Sequence, residues 1–169
     1  MKTRKARAGD AVAIHRLIAH YAAEGLLLPR RETDIREHIA RFLVLENGSQ
    51  FAGCVALEPY GTELAEIRSL AVNPDMRGLG LGPRLVQQAL AEARRKKFVR
   101  VFAVTREPKF FIHQGFALSS RHALPEKIER DCRTCPKQRT CRLAAVITTV
   151  CPERVVLPMI EAPEPAPTV

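Results

Sequence analysis

Ala65-Glu66-Ile67-Arg68-Ser69-Leu70-Ala71-Val72-Asn73-Pro74-Asp75-Met76-Arg77-Gly78-Leu79-Gly80-Leu81-Gly82 is the stretch on which the fold turns. Its first half, extended back to Leu64, reads as a strand ending at Asn-Pro. Its second half spaces three glycines at 78, 80 and 82. Glycine permits backbone conformations that bulkier residues resist, and it lets amide groups converge on an anion without side chains between. A helix over 82–97 follows at once, with Leu85, Val86, Ala89, Leu90 and Ala93 on one face. Its unpaired first N–H groups and its dipole point at the same loop. A pyrophosphate fits that arrangement; a tight structural turn is the alternative that needs no ligand.

Outward from this segment, the chain alternates strand and helix signals. Upstream, residues 3–7 form a candidate strand, and Asp10 stands at an N-cap position ahead of Val12, Ile14, Leu17, Ile18 and Tyr21. Gly25 ends that helix. Leu26 to Arg31 form an apolar loop closed by two arginines, and Thr33 is a candidate cap for a second helix through Ile35, Ile39 and Phe42. Asn47-Gly48 joins two β runs, 42–46 and 51–57, as a hairpin, and Pro59-Tyr60-Gly61 forms the next turn. Downstream, 99–105 reads as a buried strand, and Pro108 to His113 as a short helix stopped by Gly115. The last two strands are predicted over 116–118 and 143–150, separated by a polar, cysteine-bearing insertion at about 124–142. The resulting order, β-α-α-β-β-β-α-β-α-β-β, is one α/β domain with a mixed sheet, spanning 1–157. Residues 158–169, rich in proline, are expected to be disordered.

Composition narrows the classes. The 169 residues, 46% apolar, suffice for one core without disulfide staples. The basic opening is followed by an amphipathic stretch, so neither a signal peptide nor a membrane span is expected, and a cytoplasmic location follows as an expectation. The net charge of +9 suits either a solvated basic surface or a polyphosphate ligand. Seven Phe, two Tyr and no Trp, without aromatic–basic interleaving, make nucleic acid an unexpected partner.

Two familiar phosphate loops fail on the residues. A P-loop needs Gly-Lys-Ser/Thr, whereas Gly82 is followed by Pro83-Arg84. A dinucleotide fold wants the glycines after the first strand and an acid about 20 residues on, where this chain reads Val101-Phe102-Ala103-Val104. Arg77-x-x-Gly80-x-Gly82 after a strand instead resembles the GCN5-related N-acetyltransferase (GNAT) superfamily, and the likeness continues through the helix, the 99–105 strand and Phe110–Phe116.

The resemblance implies a mixed sheet flanked by helices and acetyl-CoA as co-substrate. It places the cofactor on Leu70, Ala71 and Val72 of the strand and on Arg77, Gly78, Leu79, Gly80, Leu81 and Gly82 of the loop. Acetyl transfer to an amine needs a proton acceptor, a polarised thioester carbonyl and a stabilised thiolate. Glu66 is the expected base, as in superfamily members with Ala-Glu-Ile at this strand; a solvated glutamate paired with Arg68 is the alternative. Many members carry a tyrosine acid where this chain has Phe111, which cannot donate a proton. His113 is expected on the surface.

Further strings resemble the short, single-domain bacterial N-acetylglutamate synthases of arginine biosynthesis: Leu27-Leu28-Pro29-Arg30, and Leu124-Pro125-Glu126-Lys127-Ile128 followed by Asp131-Cys132-x-x-Cys135. That likeness implies L-glutamate as acceptor, and carboxylates are natural partners of arginine. Arg30 and Arg68 are therefore the substrate-binding candidates, with surface roles as the alternative. Another amino acid, a small amine or a protein N-terminus remains open as acceptor, as does a non-catalytic acyl-CoA or RNA-binding role; a homodimer is also left open. Cys132, Cys135 and Cys141, with Cys151 or His122, could hold structural zinc, but reduced thiols or redox chemistry fit as well, and no metal is assigned. Cys54 belongs in the core.

Overall fold

In the computed structural model, which describes residues 1–136 and 138–151, seven strands form one sheet in the order β1-β2-β3-β4-β5-β7-β6. The strands are β1 (Lys2–Lys5), β2 (Phe42–Asn47), β3 (Gln50–Tyr60), β4 (Leu64–Val72), β5 (Arg100–Thr105), β6 (Ala117–Ser119) and β7 (Ala144–Thr149). Only β4 and β5 pair in parallel; every other neighbour is antiparallel. The helices are α1 (Ala11–Ala23), α2 (Glu32–Glu37), α3 (Leu81–Arg95), α4 (Pro108–Ile112) and the short α5 (Pro125–Lys127), which widens into a π turn, Ile128–Cys132. The expected domain limit at 157 and the tail 158–169 lie outside the described residues.

Strand alternation sorts side chains to two faces. On one, Leu43, Leu45, Val55, Leu57, Ala65, Ile67, Val101 and Ala103 pack against Leu81, Leu85, Val86, Ala89 and Leu90 of α3. On the other, Phe42, Val44, Cys54 and Ala56 meet Ile14, Leu17, Ile18 and Tyr21 of α1. Farther along that second face, Leu124 covers Tyr60, Leu64, Phe102 and Ala145. The cysteine-bearing insertion thus reaches back onto the sheet centre.

A bulge in β4 shapes the middle of the sheet. The β3–β4 register runs Cys54↔Ala71 and then Ala56↔Arg68, so Val55 faces both Ser69 and Leu70. Ser69 takes a φ of 51°, a left-handed conformation rare for a residue with a side chain. The extra residue exchanges the faces: Ala65 and Ile67 lie toward α3, whereas beyond the bulge Ala71 lies toward α1. Gly53 is required beside it, because a Cβ there would sit 2.6 Å from the Ala71 carbonyl oxygen.

Three boundaries depart from the sequence expectation. Asp10 does not cap α1; its carboxylate takes the Arg7 amide at 2.6 Å and the Arg4 guanidinium at 2.7 and 2.9 Å. Arg31, not Thr33, precedes α2, and Phe42 opens β2 instead of ending that helix. Pro59 and Tyr60 continue β3 where a turn was expected, opposite Ala65 and Leu64, because ladder partners on β4 hold them extended. That extension brings Tyr60 into the site described next.

Candidate active site

The glycine loop follows β4 through an Asn-Pro turn. The Asn73 side chain accepts the Asp75 amide at 3.1 Å and so closes the first turn. Arg77 is then held against α1: its Nε donates to the Tyr21 hydroxyl at 3.1 Å, and that hydroxyl donates to the Val72 carbonyl at 2.6 Å. Gly78 and Gly80 follow with φ of 79° and 69°, and Gly80 is the N-cap of α3. Nothing lies within 4 Å of a Cβ built at either, so backbone conformation, not space, demands glycine there. At Gly82, by contrast, a Cβ would only touch the Phe110 ring at 3.4 Å. Among the described residues, the amides of Gly78, Leu79, Gly80, Leu81 and Gly82 donate to no protein acceptor. Five consecutive unpaired donors at a helix start form an anion cradle.

The loop stands at the end of a wedge in the sheet. β4 and β5 pair only at Leu64↔Arg100, Ala65↔Val101 and Glu66↔Phe102. Beyond that point β5 keeps its pairing with β7, and β4 keeps its pairing with β3 at Ala71 and Val72. The facing edges of the two strands therefore lack each other as hydrogen-bond partners along Leu70, Ala71 and Val72. Such an edge can take an extended, amide-bearing ligand as a strand would be taken.

Glu66 sits at the wedge apex, in the last β4–β5 pair, and is 3% exposed. Its Oε2 accepts the Tyr60 hydroxyl at 2.8 Å and the Lys127 ammonium at 2.9 Å, with Arg68 Nε at 3.4 Å. Asp131, one turn after Lys127, receives the same lysine at 2.6 Å and lies 3.5 Å from Arg68. Tyr60 lies within 2.6 Å of that Asp131 oxygen as well. Glu58 stands directly across the ladder from Glu66. Two facing carboxylates repel, and cations offset them: Glu58 holds Arg41 at 2.6 Å and Arg130 at 2.5 Å. The Arg130 guanidinium also covers the Tyr60 ring at 4.0 Å. Burial by itself would raise the Asp131 carboxyl; the hydrogen bonds from Lys127 and Tyr60, with the Lys127 and Arg68 charges, outweigh it and leave a pKa of about 2. Burial pushes the Tyr60 phenol far up, and the Glu66 charge adds to this, so Tyr60 is a hydrogen-bond donor here and not an acid.

The sequence that builds this wedge and its anion cradle matches a known family. Residues 12–116 match the model of the acetyltransferase (GNAT) family. The chain belongs to that family. It is 40% identical over 147 residues to an uncharacterised N-acetyltransferase of Chlorobaculum tepidum, covering 87% of this chain and 95% of that one. It is 34% identical over 135 residues to an amino-acid acetyltransferase of Mycobacterium tuberculosis, covering 78% and 77%. The N-acetylglutamate synthase of Neisseria gonorrhoeae, solved with coenzyme A and N-acetyl-glutamate, superposes with a TM-score of 0.81 at 29% identity. That match covers 88% of this chain but 35% of the gonococcal one.

In this acetyltransferase, Glu66 and Arg68 share one face of β4, as regular alternation predicts, because the bulge begins only after Arg68. Glu66 is not a solvated strand residue. Arg30 lies in the loop after α1, its guanidinium carbon 5.7 Å from the Phe42 ring centre. Among the described residues it makes no hydrogen bond or ion pair. Burial, and then the neighbouring Arg68 charge, lower its pKa from the usual arginine value. Phe111 is buried against Phe110 and Phe116, and His113 is exposed. The sequence alone does not single out Tyr60, Lys127 and Asp131 as site residues: Tyr60 reads as part of a turn, and the other two fall in a polar insertion. The i, i+4 spacing of Lys127 and Asp131 behind Leu124-Pro125 was the signal for a short helix with one charged face. The four insertion and strand-end cysteines, Cys132, Cys135, Cys141 and Cys151, are half-buried thiols. Among the described residues no group of three or more His, Cys, Asp or Glu side chains could hold a metal ion. No described helix is long and apolar enough to cross a membrane.

Proposed function

We propose that this acetyltransferase transfers the acetyl group of acetyl-CoA to the α-amino group of L-glutamate, releasing N-acetyl-L-glutamate and coenzyme A. The observation that carries the acceptor is charge imbalance at the wedge apex. Arg30, Arg41, Arg68, Lys127 and Arg130 supply five cations against the three carboxylates of Glu58, Glu66 and Asp131. The excess of two matches an acceptor with two carboxylates. Arg30 in particular is a half-buried cation that makes no ion pair among the described residues, with Glu58 and Asp34 acting on it only at longer range, a state that a directly bound carboxylate improves. The kinship with amino-acid acetyltransferases points the same way.

The five free amides of Gly78 to Gly82 suit the pyrophosphate of the co-substrate, with Arg77 beside them. The open edge at Leu70, Ala71 and Val72 suits its extended arm, and amides on that edge suit the developing oxyanion of the thioester. Glu66, at the junction of the wedge and the arginine cluster, suits removal of the proton from the incoming ammonium, directly or through water. Phe111 offers no proton, so the thiolate leaves unaided by a side chain at that position. Another amino acid such as glutamine or aspartate, a small amine or a protein N-terminus is the second reading.

Incubation of the protein with acetyl-CoA and a panel of amino acids, following free thiol, tests the proposal. Glutamate-dependent thiol release supports it, and release with another amine alone transfers the assignment to the second reading. Arg30→Ala should raise the glutamate KM at least about tenfold, the usual weight of a charged hydrogen bond, and leave the acetyl-CoA KM unchanged. An effect confined to acetyl-CoA contradicts a carboxylate-binding role.

A further inference from the structure

We propose that Lys127, brought onto the sheet by α5, is a positioning residue that anchors Oε2 of Glu66 so that Oε1 remains the proton-accepting oxygen. This inference rests on the reading of Glu66 as the base. Four observations carry it. Lys127 is the only buried lysine among the described residues, 8% exposed, and its Nζ is 2.9 Å from Glu66 Oε2. Both hydrogen bonds of the Glu66 carboxylate among the described residues are made at Oε2, from Tyr60 and Lys127, and the Arg68 Nε comes nearest to that same oxygen at 3.4 Å. Lys127 is itself fixed from behind, by Asp131 one helical turn on and by the Tyr60 hydroxyl at 3.3 Å. Finally, Leu124 is fully buried against Leu64 and Phe102, which anchors the start of α5 to the two strands that form the wedge.

The physical consequence is a carboxylate with one oxygen saturated. The Lys127 ammonium and the Tyr60 hydroxyl, whose one proton is shared with Asp131, together with the Arg68 charge 3.4 Å away, leave Oε2 little capacity for a further proton, whereas no protein donor hydrogen-bonds to Oε1 among the described residues. A lysine with three donors can hold Glu66, Asp131 and Tyr60 together, which neither a neutral side chain nor a surface ion pair does. The charge also keeps a buried carboxylate from standing alone at the foot of the wedge, where an unpaired anion is costly. An insertion peripheral to the sheet in sequence thereby becomes part of the proton-transfer apparatus.

A double-mutant cycle tests this, with the amine that gives the fastest thiol release as acceptor. Lys127→Met should lower kcat on the order of a hundredfold, the cost of a base displaced by about 1 Å, with both KM values little changed. Asp131→Asn, a milder change that loosens the lysine without unpairing Glu66, should act in the same direction by a smaller factor. In a Glu66→Gln background, adding either change should cost less than about threefold, because groups that act as a unit are not additive. Costs that multiply in that background overturn the positioning role while leaving Glu66 as the base. A rise in the amine KM with kcat unchanged also overturns it, assigning Lys127 to the substrate instead. If Glu66→Gln leaves kcat and its pH profile unchanged, the base assignment itself fails and this inference with it. The Glu66→Gln/Lys127→Met double variant removes both charges together, so it remains testable if Lys127→Met alone does not fold.

Discussion

Replacing Gly53 by alanine probes the wedge through the packing that holds its β4 edge. The new Cβ would stand 2.6 Å from the Ala71 carbonyl oxygen, 3.1 Å from Leu85 Cδ1 and 3.3 Å from Val72 Cα. Leu85 can shift its flexible end, but the other two atoms are backbone of β4. Restoring ordinary contact requires β3 and β4 to part by somewhat less than about 1 Å at the bulge. Overpacking of that kind costs about 1–3 kcal/mol, which for a chain of this size lowers the Tm by roughly 3–10 °C. The displaced atoms belong to the edge proposed to hold the thioester, so kcat should fall on the order of tenfold to a hundredfold. Coenzyme A affinity should fall by a smaller factor, since the edge proposed for its arm shifts while the five loop amides are untouched. Thermal melts, thiol-release kinetics and calorimetric titration of coenzyme A measure the three effects. Gly48→Ala is the control: Gly48 has a φ of 62° and nothing within 4 Å of its Cβ, so the variant loses only about 1–2 kcal/mol of stability to backbone strain and keeps full kcat. A Gly53→Ala enzyme no more affected than Gly48→Ala would refute the reasoning.

Other outcomes follow from the same geometry. Gly80→Ala meets no clash but forces alanine to a φ of 69°, so it should raise the acetyl-CoA KM while leaving the amine KM in place, as read from initial rates with each substrate varied. Cys54 is fully buried, its thiol pushed up to about 12 by desolvation, whereas Cys132, Cys135, Cys141 and Cys151 are half-exposed. A thiol reagent at neutral pH should therefore leave Cys54 unmodified until denaturant is added, and Cys54→Ala should abolish that late fraction. Asp131 titrates near 2 when folded against an ordinary 3.8, so its stabilisation is complete above about pH 4 and is lost as pH falls toward 2. Urea midpoints between pH 2 and 5 should therefore differ most between the native protein and Asp131→Asn at the upper end, and converge at the lower.

Much of this protein is legible one residue at a time. Glycines at 78, 80 and 82 before an amphipathic helix mark the anion cradle, because left-handed backbone and unpaired helix-start amides are local properties. Helix α3 and strand β5 declare themselves through short-range periodicity for the same reason. The placing of Glu66 and Arg68 on one face follows from alternation alone, provided no bulge intervenes between them, and none does. What the sequence does not show is decided across long separations. The bulge at Ser69 depends on how β3 and β4 settle around Gly53, and the wedge depends on β4 and β5 parting beyond Phe102 while each keeps the neighbour on its other edge. Tyr60 looks like part of a Pro-Tyr-Gly turn until the β4 ladder draws it into a strand. Lys127 and Asp131 look like solvated charges of a polar insertion until burial of Leu124 carries them onto a carboxylate 61 residues away in sequence. Local backbone chemistry thus determined where a phosphate can be held, whereas the environment of Glu66 was decided only by tertiary packing, since a buried carboxylate needs cations that no neighbour in sequence is obliged to supply.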